Sequence, residues 1–180
     1  YEIMPSLVGS EMCIRDSQEP YQQKTLDAYA TALKNSTFPS LADAPFSRHS
    51  THYRLLAHIN EVAEAGLMLA DFAYSHWPDE WTKKLDRQEL LQILLLHDLD
   101  KYLLLSDESL EMSIAHGTLS AMILNDLGFD SRVIEAVASH SPSASLHLDD
   151  PASMILHYCD LFSCDHIYML VSRTPHYCMK

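Results

Sequence analysis

The sequence predicts a single all-α domain. Apolar residues recur at spacings of three and four along several long stretches, which is the period of an amphipathic helix. Only four glycines occur among 180 residues, whereas a β-rich fold usually needs more of them for its turns. The length suits one domain with a proper core, and a hydrophobic fraction of 47% is ordinary for a globular chain.

The first half of the helical pattern contains three segments. Residues 22–34 predict an amphipathic helix, and a loop rich in Ser, Pro and Asn follows it. Residues 53–77 predict a long helix with one apolar face, which residues 78–87 interrupt. Residues 88–105 predict the next helix. Because this stretch is apolar on nearly all sides up to residue 97, we expect it to lie at the centre of the domain.

The second half predicts three more helices. Within residues 106–128 we expect a core helix that ends at the final glycine, a good C-terminal cap. Another helix begins with Asp130 or Ser131 as its N-cap. Pro151 suits the first turn of the last long helix, which is predicted to run to residue 173. The prediction is therefore a domain of five or six main helices.

The first 17 residues, YEIMPSLVGSEMCIRDS, differ from the rest of the chain. They show no helical periodicity, and they lack the basic start and sustained apolar stretch of a signal peptide. The segment resembles the translated read-through of a sequencing adapter, an artefact of assembled metagenomic sequence. We therefore expect residues 1–17 to be a non-native leader and residues 18–180 to form the domain.

Charge and cysteine usage narrow the functional classes. A formal net charge of −13 argues against binding a DNA or RNA polymer, which requires a basic face. A small phosphorylated substrate needs only a local positive site, which a bound metal can supply. No apolar run reaches the ~18–20 residues of a membrane helix. The four cysteines form neither a C-x-x-C pair nor a disulfide pattern, so we expect a reducing, cytoplasmic setting.

Six side chains of metal-ligand type lie on otherwise apolar helical stretches. They are His58, His97, Asp98, His116, His140 and Asp160. Each alone has an ordinary explanation: a satisfied core histidine, a salt-bridge partner or, for the adjacent pair, a helix end at the surface. Together they would leave several buried polar groups unpaired at roughly 1–3 kcal/mol each. A divalent metal would satisfy all of them at once.

The order of these residues resembles the HD-domain superfamily of metal-dependent phosphohydrolases. The histidine–aspartate doublet alone would be weak evidence. The resemblance becomes specific with AHG at residues 115–117, VIEAVASH at residues 133–140 and ILHYCD at residues 155–160. It extends from His58 through the last helix and is strongest to the six-ligand branch that includes symmetrical dinucleoside tetraphosphate hydrolases.

The resemblance implies a helical bundle around a dinuclear metal site. In that site one ion is held by His58, His97, Asp98 and Asp160, and a second ion by His116 and His140, with Asp98 bridging the two. All of these donors are nitrogen or oxygen atoms, which suits two divalent first-row ions, Fe or Mn first and Co, Ni or Zn as alternatives. Two such ions ~3.5–4 Å apart can activate a water and bind phosphoryl oxygens.

Two cations are candidates for substrate binding. Lys101 follows His97 by four residues, so on a continuous helix it lies on the same side one turn later. The family often carries a lysine there, and we predict that Lys101 binds phosphate and acts in catalysis together with Asp98. A surface lysine without a role is the alternative. Arg54 precedes the first ligand histidine by four residues and is predicted to face the site opening.

The remaining polar residues near the motifs receive weaker assignments. Asp100 is expected to be a solvated carboxylate at a helix end, with a hydrogen bond to a ligand histidine as the alternative. His157 shares a face with Asp160 and is a candidate for supporting it. No role is expected for the histidines in loops or polar stretches, which are His49, His52, His76, His147, His166 and His176.

Three functions are compatible with this pattern. The first is a phosphohydrolase that cleaves a phosphoester or phosphoanhydride of a small metabolite or nucleotide with metal-activated water. The second is a mixed-valent di-iron oxygenase, which occurs on the same scaffold with the same six ligands. The third is a non-catalytic binding or signalling module, although known modules of this fold have usually lost ligands.

One sequence feature favours hydrolysis over oxygenation. Oxygenases of this fold that cleave phosphonates resemble one another in a tyrosine-and-glutamate loop element before the first ligand histidine. Here that stretch offers Tyr53 but no carboxylate between Asp43 and His58. Its two arginines, Arg48 and Arg54, suit an anionic ligand better.

Overall fold

The structure is a computed structural model that describes residues 19, 21–142, 144 and 146–179, without the side chains of residues 110–112. The predicted leader, residues 1–17, lies outside the described residues. Within the described part the chain is helical, and its extended pairing is confined to an isolated bridge between Pro45 and Arg54.

The helices follow one another in the order expected for an all-α bundle. They are α1 (Tyr21–Lys34), α2 (Leu55–His76), α3 (Asp79–Thr82), α4 (Arg87–Leu96), α5 (Lys101–Leu104), α6 (Glu108–Ser113), α7 (Thr118–Asp126), α8 (Ser131–Ser139) and α9 (Pro151–Leu170). Short 3₁₀ turns occur at Leu41–Asp43 and His176–Cys178. Six of the described helices have nine residues or more, which confirms the predicted bundle of five to six main helices.

Aspartates begin three of the long helices. The Asp86 carboxylate accepts hydrogen bonds from two backbone amides of the first turn of α4, and Asp150 does the same for α9, where Pro151 occupies the first turn as predicted. Asp130 caps α8 by accepting from the Arg132 amide. These side chains satisfy amide donors that have no partner within the helix, and they fix where each helix starts.

Helix α4 lies at the centre of the bundle, as its apolar sequence predicts. Every residue from Leu90 to Leu96 is buried, and the helix packs against α1, α2, α8 and α9. Gly66 on α2 lets the two helices approach closely, because a Cβ atom there would lie 2.5 Å from a methyl group of Leu94. The rigid packing of α4 fixes the position of the residues that follow it.

The predicted helix over residues 88–105 is wrong in one respect that matters for function. Helix α4 ends at Leu96, residues 97–100 form a turn, and α5 begins at Lys101. The break is stabilised by turn hydrogen bonds from the amides of Leu99 and Lys101 to the carbonyls three residues earlier. His97 and Asp98 are nevertheless buried. They therefore end a helix and also point into the core, two explanations that the sequence presented as alternatives.

The predicted core helix within residues 106–128 is also divided. Helices α6 and α7 are separated by a turn that contains His116 and Gly117. Gly117 has φ 90°, in the left-handed region, and a Cβ atom there would lie 2.8 Å from the carbonyl oxygen of Val137. Only glycine fits this position without strain. Helix α7 ends at Asp126, two residues before Gly128, whose φ is 69°.

Among the described helices, none combines the length and apolar character that crossing a membrane requires.

Candidate metal centre

The fold brings all six predicted ligand residues together. His58 comes from α2, His97 and Asp98 from the turn after α4, His116 from the turn before α7, His140 from the end of α8 and Asp160 from the middle of α9. Five of the six residues are buried, and the His116 side chain is 26% exposed. Their assignment as ligands rests on the geometry that follows.

One group of three donors forms the deeper part of the centre, and we call it the inner triad. It consists of His58, His97 and Asp160, whose ligand atoms all lie within 4.8 Å of one another. The two imidazole Nε2 atoms are 3.2 Å apart, and His58 Nε2 lies 3.3 Å from Asp160 Oδ1. Three donors in so small a volume match the ligand set of a single cation.

The outer triad consists of Asp98, His116 and His140, which satisfy the same distance criterion. The Nε2 atoms of the two histidines are 3.1 Å apart. Asp98 Oδ1 lies 2.8 Å from the Nε2 atom of His116 and 3.7 Å from that of His140. A second cation fits among these three side chains.

Asp98 faces both triads. While its Oδ1 atom is directed at the outer triad, its Oδ2 atom lies 3.1 Å from His58 Nε2 and 3.5 Å from His97 Nε2. This Oδ2 atom is buried, and no described group donates a hydrogen bond to it with good geometry. Its partner by charge is Lys101 Nζ, 2.6 Å away. A carboxylate with one oxygen toward each triad is suited to bridge two ions.

Two of the histidines are oriented by the helices that they end. His97 and His140 each follow the last residue of a helix, and the Nδ1 atom of each donates to the carbonyl oxygen three residues earlier. The partners are the Leu94 oxygen at 2.9 Å and the Val137 oxygen at 2.7 Å. Carbonyls at a helix end have no partner within the helix. The same bond therefore satisfies the helix end and leaves Nε2 unprotonated.

His58 is oriented by a chain of side chains. Its Nδ1 atom lies 2.9 Å from Ser163 Oγ, and that hydroxyl donates to Glu61 Oε2 at 2.6 Å. Burial raises the pKa of Glu61, but hydrogen bonds from Ser163 and Tyr53 outweigh it and lower the pKa, so Glu61 is ionised and accepts. The Ser163 hydroxyl must then accept from His58 Nδ1–H, which leaves Nε2 unprotonated.

His116 is oriented by Asp100, and here the expected role of Asp100 is wrong. Asp100 is fully buried. Its Oδ1 atom lies 3.0 Å from His116 Nδ1, and its Oδ2 atom accepts from the Gly117 amide at 2.5 Å. The turn at residues 97–100 places this side chain in the core, beside His116. The alternative, a contact with a ligand histidine, is the one that the structure has.

The orientation of the four imidazoles tests whether the site suits a cation. Each Nδ1 atom faces an acceptor, so each imidazole in its neutral form presents the Nε2 lone pair toward the centre. Lone pairs 3.1–3.2 Å apart, surrounded by two carboxylates, repel one another unless a positive charge lies between them. The residues present therefore fit divalent metal ions, and both triads indicate divalent metal binding.

The pKa shifts indicate an ionised Asp98 carboxylate beside imidazoles that differ in charge. Burial raises the pKa of Asp98, but the neighbouring Lys101 and His97 outweigh that effect and hold the pKa well below its usual range. Burial lowers the pKa of His116, but Asp100 and Asp98 reverse that effect and raise the pKa to about 10. Burial lowers the pKa of His97 to about 4, so this imidazole is neutral and available to a metal at neutral pH.

The two predicted substrate cations are placed differently. Lys101 Nζ lies beside Asp98 and 4.1 Å from the centroid of the Phe46 ring, and its side chain is 18% exposed. Arg54 is exposed, and its guanidinium donates to the carbonyl oxygen of Asp43. The structure brings Lys101 to the centre and directs Arg54 to the loop before α2.

A cavity of about 340 Å³ opens beside the centre. Its walls include Asp98, Lys101, His116, Asp160, Tyr168 and His176. His157, predicted as a possible partner of Asp160, instead lines a separate cavity near His147. The cavity beside the centre gives a ligand access to both triads and to the Lys101 ammonium.

Sequence reasoning missed several residues that support the site. Glu61 and Ser163 lie three residues after His58 and Asp160, so helical spacing placed each beside a ligand. The carboxylate that contacts Tyr53 is Glu61, which follows the first ligand histidine instead of preceding it. His166, for which no role was expected, lies 3.6 Å from Glu61 Oε2. His176 was likewise assigned no role, and it lines the cavity.

The comparison with protein families agrees with this geometry. The family model of the HD domain matches residues 55–164, more than half of the chain and a span that contains both triads. No curated protein and no solved structure matches the chain. The described residues form an all-α bundle, and the matched span contains two clusters of nitrogen and oxygen donors. The chain therefore belongs to the HD-domain family, which is part of a superfamily of metal-dependent phosphohydrolase type.

Proposed function

We propose that the protein is a metal-dependent phosphohydrolase that cleaves a phosphoester or phosphoanhydride bond of a small phosphorylated metabolite or nucleotide. The observation that carries the proposal is the pair of triads joined by Asp98, which opens on a cavity with Lys101 in its wall. Paired metal sites of this kind suit displacement at phosphorus.

The inner triad would hold one divalent ion and the outer triad the other, with Asp98 shared between them. When bound, these ions would activate a water and neutralise charge on the phosphoryl oxygens. The donor set of imidazole nitrogens and carboxylate oxygens suits Fe or Mn, with Co, Ni or Zn as alternatives.

Lys101 supplies the positive charge that belongs to the chain itself. Its ammonium group lies in the cavity wall next to Asp98 and can pair with a phosphoryl oxygen. A cation in this position stabilises the negative charge that develops as the phosphorus–oxygen bond breaks. The partial burial of Lys101 strengthens that interaction, since less water screens it.

The cavity favours a small substrate. A volume of about 340 Å³ lies at the lower end of ligand cavities and accommodates a phosphorylated metabolite or part of a nucleotide. The net charge of −13 supports the absence of a nucleic-acid polymer or an anionic membrane among the partners. Cys159, Cys164 and Cys178 are free thiols, which supports the proposed reducing, cytoplasmic setting.

The same donors also suit the di-iron oxygenase alternative, so the test must separate the two activities. Protein loaded with Mn or Co is assayed on a panel of phosphate esters, anhydrides and dinucleoside polyphosphates, under argon and in air. Equal phosphate release in both atmospheres supports hydrolysis. Activity that requires iron and consumes O₂ overturns the proposal and supports the oxygenase. Metal binding without either activity supports the binding module.

A further inference from the structure

A second carboxylate–imidazole pair lies outside both triads. Asp165 projects from α9, and His176 lies in the 3₁₀ turn near the end of the chain. The two side chains meet at 3.0 Å, between Asp165 Oδ1 and His176 Nδ1. The carboxylate also accepts from the backbone amides of His176 and Tyr177. Three bonds therefore hold the imidazole in one position relative to α9.

The aromatic ring of Tyr168 completes this support. The rings of Tyr168 and His176 are stacked, with centroids 5.0 Å apart and planes inclined by 28°. The guanidinium of Arg173 lies 5.0 Å from the Tyr168 ring on the same segment of the chain. The His176 side chain remains 27% exposed, so the support fixes the imidazole without isolating it from water.

The position of His176 relates it to the metal centre. It lines the same cavity as Asp98 and Asp160, one carboxylate of each triad, and as Lys101. In a cavity of about 340 Å³, the leaving group of a phosphoryl compound bound at the triads would share the enclosure with His176. The Nδ1 atom of His176 is occupied by Asp165, and Nε2 is the ring nitrogen left for a ligand.

We infer that His176 is the proton donor to the leaving-group oxygen and that Asp165 is its positioning residue. The inference rests on the proposed hydrolase function and adds a catalytic residue to it. A carboxylate that fixes the tautomer of a cavity histidine is a recurring arrangement for general acid catalysis. Neither residue belongs to a triad, so this role is separate from metal binding.

Water attacks the phosphorus, and the bond between phosphorus and the leaving-group oxygen breaks. That oxygen keeps the electron pair of the broken bond and takes the proton from His176 Nε2, so an alcohol or a shorter phosphate departs. The attacking water gives up one proton to solvent as its oxygen bonds to phosphorus, and the neutral His176 regains one proton from solvent, so no net proton is gained or lost. No oxidant or reductant is required.

Several charged or titratable groups share the cavity with His176 or lie close to it along the chain, and they influence its pH dependence. From α9 these are Asp160, Cys164, Asp165 and Tyr168. From the rest of the cavity wall they are Asp98, Lys101 and His116, and from its own segment they are Arg173, Tyr177 and Cys178.

The test varies the leaving group. Metal-loaded wild-type protein and the H176Q variant are compared on p-nitrophenyl phosphate, phenyl phosphate and an alkyl phosphate, together with the corresponding diesters. A good leaving group departs without a proton, whereas a poor one requires it. We expect H176Q to lower kcat about 100-fold or more for the poor leaving groups and less than about tenfold for p-nitrophenol.

The matched control is His157→Gln, a histidine of similar burial on α9 that lines the separate cavity. It should alter neither leaving-group dependence nor metal content. Asp165→Asn should give a smaller loss than H176Q with the same trend. In H176Q the arm of the kcat–pH profile that requires a protonated group should disappear. Equal losses for all leaving groups overturn the inference alone, while a wild-type protein inactive on every substrate overturns the proposed function and the inference together.

Nitrogen NMR, which requires no turnover, tests whether His176 Nε2 faces the bound ligand. In zinc-loaded protein with ¹⁵N-labelled histidine, inorganic phosphate should shift the Nε2 resonance of His176 and leave its Nδ1 resonance in the protonated range. An Nε2 resonance that does not respond to saturating phosphate contradicts the inference. Asp165→Asn should shift the Nδ1 resonance, and the metal content should be unchanged in both variants.

Discussion

The inner and outer triads contain the same kinds of donors in different surroundings. In the inner triad the side chains of His58 and His97 are fully buried, whereas in the outer triad the side chain of His116 is 26% exposed and reaches the cavity. The inner triad has a carboxylate of its own in Asp160, while the outer triad has only the carboxylate that it shares. On the proposed function, we therefore expect the inner site to retain its ion more tightly and the outer site to be the more accessible to a ligand.

The residues that orient the ligand histidines also differ between the two triads. In the inner triad, His58 contacts the Ser163 hydroxyl, which in turn donates a hydrogen bond to Glu61, a partly exposed carboxylate. The outer His116 faces Asp100, a carboxylate without exposed surface. A negative charge directly behind an imidazole increases its basicity. The outer site thus compensates for its fewer donors by a stronger support.

The largest loss of metal and activity is expected from a change at Asp98, because this carboxylate faces both triads. Asp98→Ala removes a member of the outer triad and the carboxylate oxygen that faces the inner triad, so most of the metal and all measurable activity should be lost. Metal analysis by mass spectrometry after extensive dialysis, with circular dichroism to establish folding, measures the result. Full metal occupancy in a folded Asp98→Ala protein would show that the carboxylate is not a shared ligand.

Two histidines offer a matched test of the difference between the sites. His97 and His140 both follow the end of a helix and both donate from Nδ1 to the carbonyl three residues earlier. His140→Ala should leave one tightly held ion per chain, because the inner triad stays complete. His97→Ala should release the inner ion and weaken the outer one. Isothermal titration with Mn²⁺ distinguishes these outcomes, and equal behaviour of the two variants would refute the asymmetry.

Lys101 separates metal binding from catalysis. Lys101→Met keeps the apolar stem beside Phe46 and removes the charge. Turnover should fall ~10- to 1000-fold, in line with the loss of one charge-stabilising donor, while both ions stay bound. Steady-state kinetics and metal analysis on the same preparation provide the comparison. Loss of metal in this variant would assign Lys101 to the support of Asp98 instead.

The smallest losses of metal affinity are expected from residues that contact the ligand histidines from behind. Each of these losses should affect one site only. Ser163→Ala interrupts the relay behind His58, and Asp100→Asn weakens the support of His116. Each change should lower metal affinity about 10- to 100-fold at its own site and leave the other site unchanged. Competition with a chelator measures the two affinities. A Ser163→Ala protein that loses the outer ion first would contradict the assignment.

The helices were predictable from sequence because their apolar periodicity survives in the structure. The six residues of the triads were predictable as a set for a related reason, since polar donors on apolar helical stretches are conspicuous. The breaks at residues 97–100 and before Thr118 were not, because the apolar pattern continues on both sides of each break. Tertiary contacts decide them: Asp100 turns inward only because the Gly117 amide and His116 are there to meet it.

His176 illustrates a different limit. Its surroundings in sequence are polar and carry no period, so nothing local distinguishes it from the exposed histidines. Its partner Asp165 lies eleven residues earlier on α9, and the end of that helix and a turn separate the two residues in the chain. A pairing of this kind depends on how the chain folds back after α9, and neither residue alone indicates it.

The wide spacing of the six donors has a consequence for how the protein is made. They are spread from residue 58 to residue 160, and each triad draws on segments far apart in the chain. Closing loops of that length is entropically unfavourable and precedes any stabilisation by the ion. We therefore expect metal binding to follow formation of the bundle, in contrast to a short zinc finger, where metal binding drives folding. During synthesis the inner triad stays incomplete until Asp160 has left the ribosome, so a bound ion would enter a bundle whose topology is largely formed.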